Sequence, residues 1–300
     1  MSAVDVRIYE VGPRDGLQAE ATSVATEAKL RFIELLADAG LREIEATSFV
    51  SPHAIPQLAD ADELMTRLER RPAVRYTVLV PNQRGLERAI EARVDAICLF
   101  TAATESYARH NINMSVDESL AAFAPVVGAA RERGWWVRAY VSTAFGCPYE
   151  GEVDERAVVS LGERLLGLGV DELAISDTLG VAAPADVQRV LAALAAAGIG
   201  TDVLALHLHD TRGTALANVM AALESGIRTF DASTGGTGGS PYAPGSAGNL
   251  ATEDLVYLLD RQGLRHGVTL AAVLEAARFI SDALGKPLDS KLGRAGAWPG

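Results

Sequence analysis

The sequence predicts an α/β fold, a (β/α)8 TIM barrel with an additional C-terminal helix, and three observations support this prediction. Eight short runs rich in β-branched and aromatic residues recur along the 300 residues, each bounded by turn residues. Segments rich in Ala, Leu, Glu and Arg lie between them with helical spacing. No linker rich in Pro, Gly or Ser divides the chain. Eight strands that alternate with helices over this length suit a closed barrel.

The predicted strands each combine residues such as Val, Ile, Tyr and Phe with a turn signal at the end, which is typical of buried parallel strands. In chain order they are VRIYEV (6–11), EIEATSFV (43–50), RYTVLVP (75–81), AICLFTA (96–102), VRAYVSTA (137–144), ELAISDT (172–178), LALHLHD (204–210) and TFDAST (229–234). The spacing between them leaves room for a crossover helix after each strand.

The clearest predicted helices end at a Gly, the residue that most often terminates a helix. They are residues 25–40, 116–134, 155–169 and 185–198, and a further helix over 270–285 follows the eighth strand and is predicted to cap the barrel. We expect one domain over residues 1–300, with the barrel at about 5–265 and a helical cap at about 266–300. A doubly wound open sheet is the alternative, but its usual GxGxxG turn after the first strand is absent from VGPRDG (11–16).

The amino-acid composition limits the classes of molecule that this protein is expected to bind. A hydrophobic content of 49% indicates a globular chain with a sizeable core, and a net charge of −12 argues against nucleic acid. The longest apolar runs are shorter than a membrane span, and the N-terminal residues show no basic leader, so we expect a cytoplasmic protein without a membrane partner. The cysteines are Cys98 and Cys147, too few for a disulfide framework. An anionic small molecule remains compatible with this composition.

Polar residues gather where the predicted strands end, and in a barrel of this kind the chemistry lies at that face. They are Arg14 and Asp15 after strand one, Glu45 and Ser48 late in strand two, Asp177 at the end of strand six, and His207, His209 and Asp210 at the end of strand seven. If the chain closes into a barrel, these residues converge.

The HLH sequence at 207–209 predicts a metal site. Alternation along a strand sends His207 and His209 to the same side, although a strand histidine is often only a core residue. With Asp15 and Asn249 on the same face, two nitrogens and two hard oxygens suit Mg2+ or Mn2+ better than a closed zinc site.

Arg14 next to Asp15 has two interpretations. It can be an ordinary surface ion pair, or a guanidinium that stabilises an oxyanion as the reaction develops. Glu45, Asp177 and Glu253 are carboxylates that can take part in the site, orient a ligand or cap a helix.

The chain resembles the 3-hydroxy-3-methylglutaryl-CoA lyase family, within the metal-dependent lyase and Claisen-condensation barrels. The resemblance runs from about residue 5 to residue 290. It rests on VGPRDGLQ (11–18), IEATSFVSP (44–52), NIN (111–113), GCPYEG (146–151), SDTLGV (176–181), HLHDTRGTALAN (207–218) and GGTGGSPYAPGSAGNLATEDLVYLL (235–259).

This resemblance implies metal-dependent retro-Claisen cleavage of 3-hydroxy-3-methylglutaryl-CoA, or a close acyl-CoA analogue, to acetyl-CoA and a 3-keto acid. It implies that Arg14 stabilises the enolate and that Asp15 or His207 takes the hydroxyl proton. The remaining roles that it implies are metal ligation by Asp15, His207, His209 and Asn249, and active-site carboxylates Glu45 and Asp177. Gln18, Ser48, Arg212 and Glu253 are our further candidates for substrate contacts. It also suggests a homodimer.

Two departures from the family pattern bear on the substrate. The family has a catalytic cysteine in its glycine-rich loop, where this chain has Ser240, and a serine hydroxyl is a far weaker acid than a thiol. HDTYG of the family is HDTRG here, which introduces Arg212, either solvated or paired with an anionic group of the substrate. Cys147 is not a replacement nucleophile, because the family carries a cysteine there too.

Two other functions stay open from the sequence. One is a condensing enzyme of the same superfamily, although such enzymes usually carry sequence beyond the barrel. The other is a homologue that binds metal and acyl-CoA without turnover, which the missing loop cysteine favours. Retention of Arg14 and of every proposed metal ligand favours the lyase.

Overall fold

Eight parallel strands close into a barrel in a computed structural model that describes residues 4–239 and 248–296. Each strand pairs with its neighbours in the sequence, and the first strand also pairs with the eighth. The strands are β1 (Arg7–Glu10), β2 (Glu43–Ser48), β3 (Arg75–Leu79), β4 (Ala96–Ala102), β5 (Trp136–Ser142), β6 (Glu172–Asp177), β7 (Leu204–Leu208) and β8 (Thr229–Ala232). The predicted barrel is confirmed, and the doubly wound alternative is wrong.

Helices surround the barrel and follow the strands. They are α1 (Thr26–Asp38), α2 (Ala61–Arg67), α3 (Gln83–Glu91), α4 (Glu105–Ile112), α5 (Val116–Glu132), α6 (Glu155–Leu168), α7 (Pro184–Ala196), α8 (Ala215–Glu224), α9 (Thr252–Arg261), α10 (Leu270–Leu284) and α11 (Lys291–Ala295). Local signals define their ends: Ser115 and Glu118 form a capping box before α5, and Gly169 ends α6 with φ of 101°.

The hydrophobic core has two parts. The larger lies between the strands and the helices, and a small cluster inside the barrel comprises Tyr9, Val11, Leu79, Cys98, Tyr140 and Ala174. Burial raises the pKa of the Cys98 thiol, so this cysteine is an inert core residue. Among the helices of the described residues, none is both long enough and apolar enough to cross a membrane.

The C-terminal residues pack against the end of the barrel that carries the polar residues. Asp254, in the first turn of α9, accepts hydrogen bonds from the backbone N–H groups of Lys291 at 3.0 Å and Leu292 at 2.8 Å. Lys291 also forms an ion pair with Asp210, which follows β7. The predicted C-terminal helix is present as α10, and the short α11 extends this packing to the mouth of the barrel.

Candidate active site

Arg14 and Asp15 lie on a tight turn that follows β1. Residues Gly12–Gly16 form one turn of π-helix, and the Gly12 N–H donates to Glu10 Oε1 at 2.9 Å. Gly16 packs so closely on the segment after β8 that a Cβ atom there would lie 2.3 Å from Thr237 Oγ1. The turn therefore holds both side chains at the C-terminal mouth of the barrel.

His207 and His209 lie at the end of β7, where residues 248–251 run alongside the strand. Leu250 N donates to Leu208 O at 2.9 Å, and Asp210 N donates to Gly248 O at 2.9 Å. His209 and Asn249 form an isolated antiparallel bridge. This pairing brings Asn249 next to the histidines although 40 residues of sequence separate it from His209.

Asp15, His207 and His209 form a cluster suited to a metal ion. Each offers one ligand atom, and these atoms lie within 4.8 Å of one another. The two histidines face each other through Nε2 at 3.2 Å, and His207 Nε2 lies 4.0 Å from Asp15 Oδ2. The cluster brings together three of the four ligands expected from the sequence.

The protonation states of this cluster fit a metal site, which needs deprotonated ligands. Burial, reinforced by His207, lowers the pKa of His209 to about 4, so its imidazole is neutral near pH 7. Burial alone would raise the pKa of Asp15, but Arg14 and the two histidines outweigh it and lower that pKa to about 2.

Asn249 joins the cluster through its amide nitrogen. Nδ2 donates to Asp15 Oδ2 at 2.8 Å and to Thr237 O at 3.2 Å. Metal ligation would require the carbonyl oxygen instead, which a rotation of the amide by about 180° presents, and the two orientations differ only in their hydrogen-bond network.

Arg14 links Asp15 to Glu45. Its Nη1 donates to Asp15 Oδ1 at 2.8 Å and its Nη2 to Glu45 Oε2 at 2.9 Å. Burial opposes the charge, yet Glu45 and Asp15 hold the pKa of Arg14 well above its usual range. The interpretation as a surface ion pair is excluded, since the Arg14 side chain is only 6% exposed.

Tyr140 on β5 contacts the site and was missed by the sequence reasoning. Its hydroxyl donates to Glu45 Oε2 at 2.6 Å, and its ring meets the His207 ring edge-on, with 5.6 Å between centroids. Period-two alternation in VRAYVS places Arg138 and Tyr140 on one face, so an arginine and a tyrosine in an apolar strand were the available signal.

Asp231 on β8 and Arg138 were also missed. His207 Nδ1 lies 3.0 Å from Asp231 Oδ2, and Arg138 contacts both oxygens of Asp231. Charged residues within strands otherwise built of apolar residues were again the signal, because a buried charge needs a partner.

Asp177 and Arg212 lie at the mouth but contact backbone. Asp177 accepts from Val181 N at 2.9 Å and Ala182 N at 3.0 Å, and burial raises its pKa. Arg212 is exposed, and its Nη1 donates to Leu179 O and Gly180 O, both at 3.0 Å. Arg212 is therefore tied to the loop after β6, with the remaining guanidinium nitrogens available at the surface of the mouth.

The other residues singled out from the sequence lie around this centre. Ser48 is buried and donates weakly to Leu79 O at 3.4 Å, while Gln18 is half-buried just after the π-turn. Glu253 is fully buried at the start of α9 and accepts from Gly235 N at 2.9 Å. Ser240 lies outside the described residues.

The chain is similar to known proteins over nearly its whole length. The model of the HMGL-like family matches residues 5–280. The hydroxymethylglutaryl-CoA lyase of Bacillus subtilis is 49% identical over 95% of each chain. A crystal structure of the Bacillus subtilis HMG-CoA lyase has a TM-score of 0.95, with 48% identity over 98% of each chain. An HMG-CoA lyase from Acinetobacter baumannii, solved with coenzyme A and 3-methylmalate, is 40% identical over 100% of this chain and 98% of its own, with a TM-score of 0.94.

Proposed function

Because this chain belongs to the HMGL-like family, we propose that it is a carbon–carbon lyase that cleaves 3-hydroxy-3-methylglutaryl-CoA into acetyl-CoA and acetoacetate. The observation that carries the proposal is the cluster of Asp15, His207 and His209 beside the buried Arg14–Glu45 pair. A hydroxymethylglutaryl-CoA lyase that is 49% identical over 95% of each chain supports the same chemistry here.

We assign a divalent cation, Mg2+ or Mn2+, to Asp15, His207 and His209, with Asn249 as the fourth ligand once its amide oxygen is turned inward. This ligand set of imidazoles and hard oxygens fits such an ion. When bound there, the ion acts as a Lewis acid that lowers the pKa of the substrate's tertiary hydroxyl.

Residues of the chain carry out the proton transfer and stabilise the charge that develops during cleavage. Asp15 accepts the proton of the tertiary hydroxyl, and the carbonyl of acetoacetate forms as the adjacent C–C bond breaks. The bonding electrons pass to the acetyl thioester, whose enolate oxygen faces the permanently charged Arg14. Glu45 holds Arg14 in place, and a proton delivered to the enolate carbon completes acetyl-CoA.

Ser240, at the position of the family's loop cysteine, is our candidate for the group that assists this last proton transfer. A serine hydroxyl is too weak an acid to replace a thiol unaided, so we expect a slower proton-transfer step than a cysteine would allow. Gln18, Ser48, Asp177, Arg212 and Glu253 remain candidates for substrate contacts or for positioning the groups that make them.

We propose acyl-CoA as the partner of this site, which the complex of a relative with coenzyme A supports. The net charge of −12 favours the absence of nucleic acid partners. A cytoplasmic location, the absence of a membrane partner and a homodimer remain our expectations for this protein.

The test follows acetyl-CoA release from 3-hydroxy-3-methylglutaryl-CoA after chelator treatment, with and without Mg2+ or Mn2+. Wild type, Ser240→Cys and the matched Ser240→Ala are compared. We expect metal-dependent turnover by the wild type, a faster rate for Ser240→Cys and a slower one for Ser240→Ala.

Two outcomes would change this proposal. If all three proteins bind Mn2+ but none releases acetyl-CoA, the parent substrate is wrong and a homologue without turnover on it is supported. If free CoA instead accumulates from acetyl-CoA and a 2-keto acid, the protein is a condensing enzyme.

A further inference from the structure

Asp231 lies directly beside His207 within the barrel. The register of the two strands pairs these residues, and His207 Nδ1 lies 3.0 Å from Asp231 Oδ2. The side chain of Asp231 is 1% exposed, so no water competes freely for this contact. The nitrogen that faces Asp231 is the one on the far side of the ring from the candidate metal ligand atom.

Arg138 determines how Asp231 can interact with the histidine. From β5, Arg138 reaches across the barrel and donates from Nη2 to Asp231 Oδ1 at 2.5 Å and from Nη1 to Oδ2 at 2.9 Å. Its Nε donates to Glu172 Oε1 at 2.9 Å. A carboxylate held by a guanidinium fork is an acceptor at both oxygens, so His207 Nδ1 must be the donor.

A proton at Nδ1 leaves the other ring nitrogen with a free lone pair. His207 Nε2 faces His209 Nε2 at 3.2 Å and Asp15 Oδ2 at 4.0 Å. The hydroxyl of Tyr140 accepts from Arg138 Nη1 at 3.2 Å, so the same arginine also steadies the ring that flanks His207. The hydrogen bond thus selects the tautomer that metal ligation needs.

We propose that Asp231, anchored by Arg138, is a positioning residue that holds His207 as the Nδ1-protonated tautomer with the Nε2 lone pair directed at the metal site. The inference rests on the metal site proposed above. It assigns a function to an ion pair that could otherwise be only part of the packing inside the barrel.

The direct test is the 15N NMR spectrum of the imidazoles in the metal-free wild type. The Nδ1-protonated and Nε2-protonated tautomers of a neutral histidine have distinct 15N shifts. We expect the His207 proton on Nδ1, and a proton on Nε2 would overturn the proposal without any variant being made.

The second test is Asp231→Asn, with Mn2+ affinity of the substrate-free protein measured by the EPR signal of free Mn2+. In either amide orientation the new NH2 group opposes a donor of Arg138, and one orientation also forces the His207 proton onto Nε2. We expect Mn2+ binding to weaken by about 10–100-fold, the usual effect of losing such a partner of a ligating histidine.

Glu172→Gln is the matched control. It also takes a carboxylate from Arg138, but Glu172 does not contact His207 in the structure. We expect its Mn2+ affinity to stay within about threefold of the wild type. An unchanged Mn2+ affinity in Asp231→Asn, or an equal loss of affinity in Glu172→Gln, would show that Asp231 stabilises the barrel interior and does not position His207. If the wild type binds no Mn2+, the metal proposal fails, while the NMR measurement still decides the tautomer.

Discussion

Glu45 is held by two hydrogen-bond donors at one of its oxygens. Arg14 Nη2 and the Tyr140 hydroxyl both donate to Oε2, at 2.9 Å and 2.6 Å, and the Glu45 side chain is fully buried. A buried carboxylate depends on such donors, so the orientation of the Arg14–Glu45 pair depends on Tyr140. This makes one hydroxyl group on β5 a determinant of where the Arg14 charge lies.

Tyr140→Phe tests this dependence at the scale of one atom. It keeps the ring against His207 and removes only the hydroxyl, so we expect kcat to fall by about tenfold or more, as for a hydrogen bond to a charged group. KM and Mn2+ affinity should change little, because neither the cluster nor the mouth is altered. The measurement is steady-state acetyl-CoA release with saturating metal.

Tyr9→Phe provides the control for Tyr140→Phe. Both rings lie beneath the Arg138 guanidinium, at 3.9 Å for Tyr9 and 5.1 Å for Tyr140, but the Tyr9 hydroxyl contacts Thr77 and Cys98. We expect kcat for Tyr9→Phe to stay closer to that of the wild type. Equal losses of kcat in the two variants would indicate a general loss of rigidity in the barrel interior, not a specific effect of the Tyr140–Glu45 hydrogen bond.

The π-turn after β1 is the element that carries both Arg14 and Asp15. A Cβ atom at Gly16 would lie 2.3 Å from Thr237 Oγ1 and 2.8 Å from Ser233 Oγ, and these two hydroxyls are hydrogen-bonded to each other at 2.6 Å. The turn and the segment after β8 are thus in close contact. No other residue fits at position 16 without moving one of them.

Gly16→Ala is therefore expected to displace the turn and Asp15 with it. We expect Mn2+ affinity to fall by about tenfold or more, and overpacking to lower the free energy of unfolding by about 1–3 kcal/mol. Gly128→Ala, inside α5 where a Cβ meets nothing within 4 Å, should instead be neutral or stabilising by up to about 1 kcal/mol. Mn2+ titration measures the metal affinity of the two variants, and urea unfolding measures their stability. Wild-type metal affinity in Gly16→Ala would contradict the expected displacement of the turn.

At the scale of the whole molecule, Glu253 joins the start of α9 to the segment after β8 and to the C-terminal residues. It is completely buried, accepts from Gly235 N at 2.9 Å, and lies under the Ser290–Gly293 turn. Burial is the main cause that raises its pKa from 4.5 to about 7, against the hydrogen bonds that lower it. The folded protein therefore retains this proton at pH values where the unfolded chain has lost it.

This proton makes stability depend on pH in a definite direction. Between about 4.5 and 7 the folded state binds more protons at Glu253 than the unfolded state, so its contribution to the free energy of unfolding is lost as pH rises. The difference of about 2.5 pKa units, from 4.5 to about 7, corresponds to roughly 3 kcal/mol.

Glu253→Gln imitates the protonated carboxyl at every pH. Relative to the wild type, we expect this variant to be more stable at pH 8 than at pH 5, by up to about 3 kcal/mol, in urea unfolding with chelator present. Glu275→Gln, an exposed position on α10, should show the same difference from the wild type at both pH values. A Glu253→Gln difference that does not change with pH would contradict the proposed protonation of Glu253.

The strands and several helices could be predicted because the sequence patterns that indicate them involve only residues close together in the chain. All eight predicted strand starts lie within one residue of the observed ones, and the Gly residues at 169 and 285 end α6 and α10 as expected. The HLH alternation likewise predicts two imidazoles on one side of β7, because it depends only on the period of the strand. The division into a barrel at about 5–265 and a cap at about 266–300 stays a prediction, as do the roles of the site residues.

The sequence by itself determined the barrel, its polar end, and the residues Arg14, Asp15, His207 and His209, because periodicity and turn chemistry need only neighbouring residues. Only the tertiary structure decided that Tyr140 holds Glu45, that Asp231 faces His207, and that the Asn249 amide lies beside Asp15. These contacts join residues from different strands and loops, and they exist only after the barrel closes. Arg138 and Asp231 lie 93 residues apart in the sequence, and they pair because a buried charge needs a partner of opposite charge.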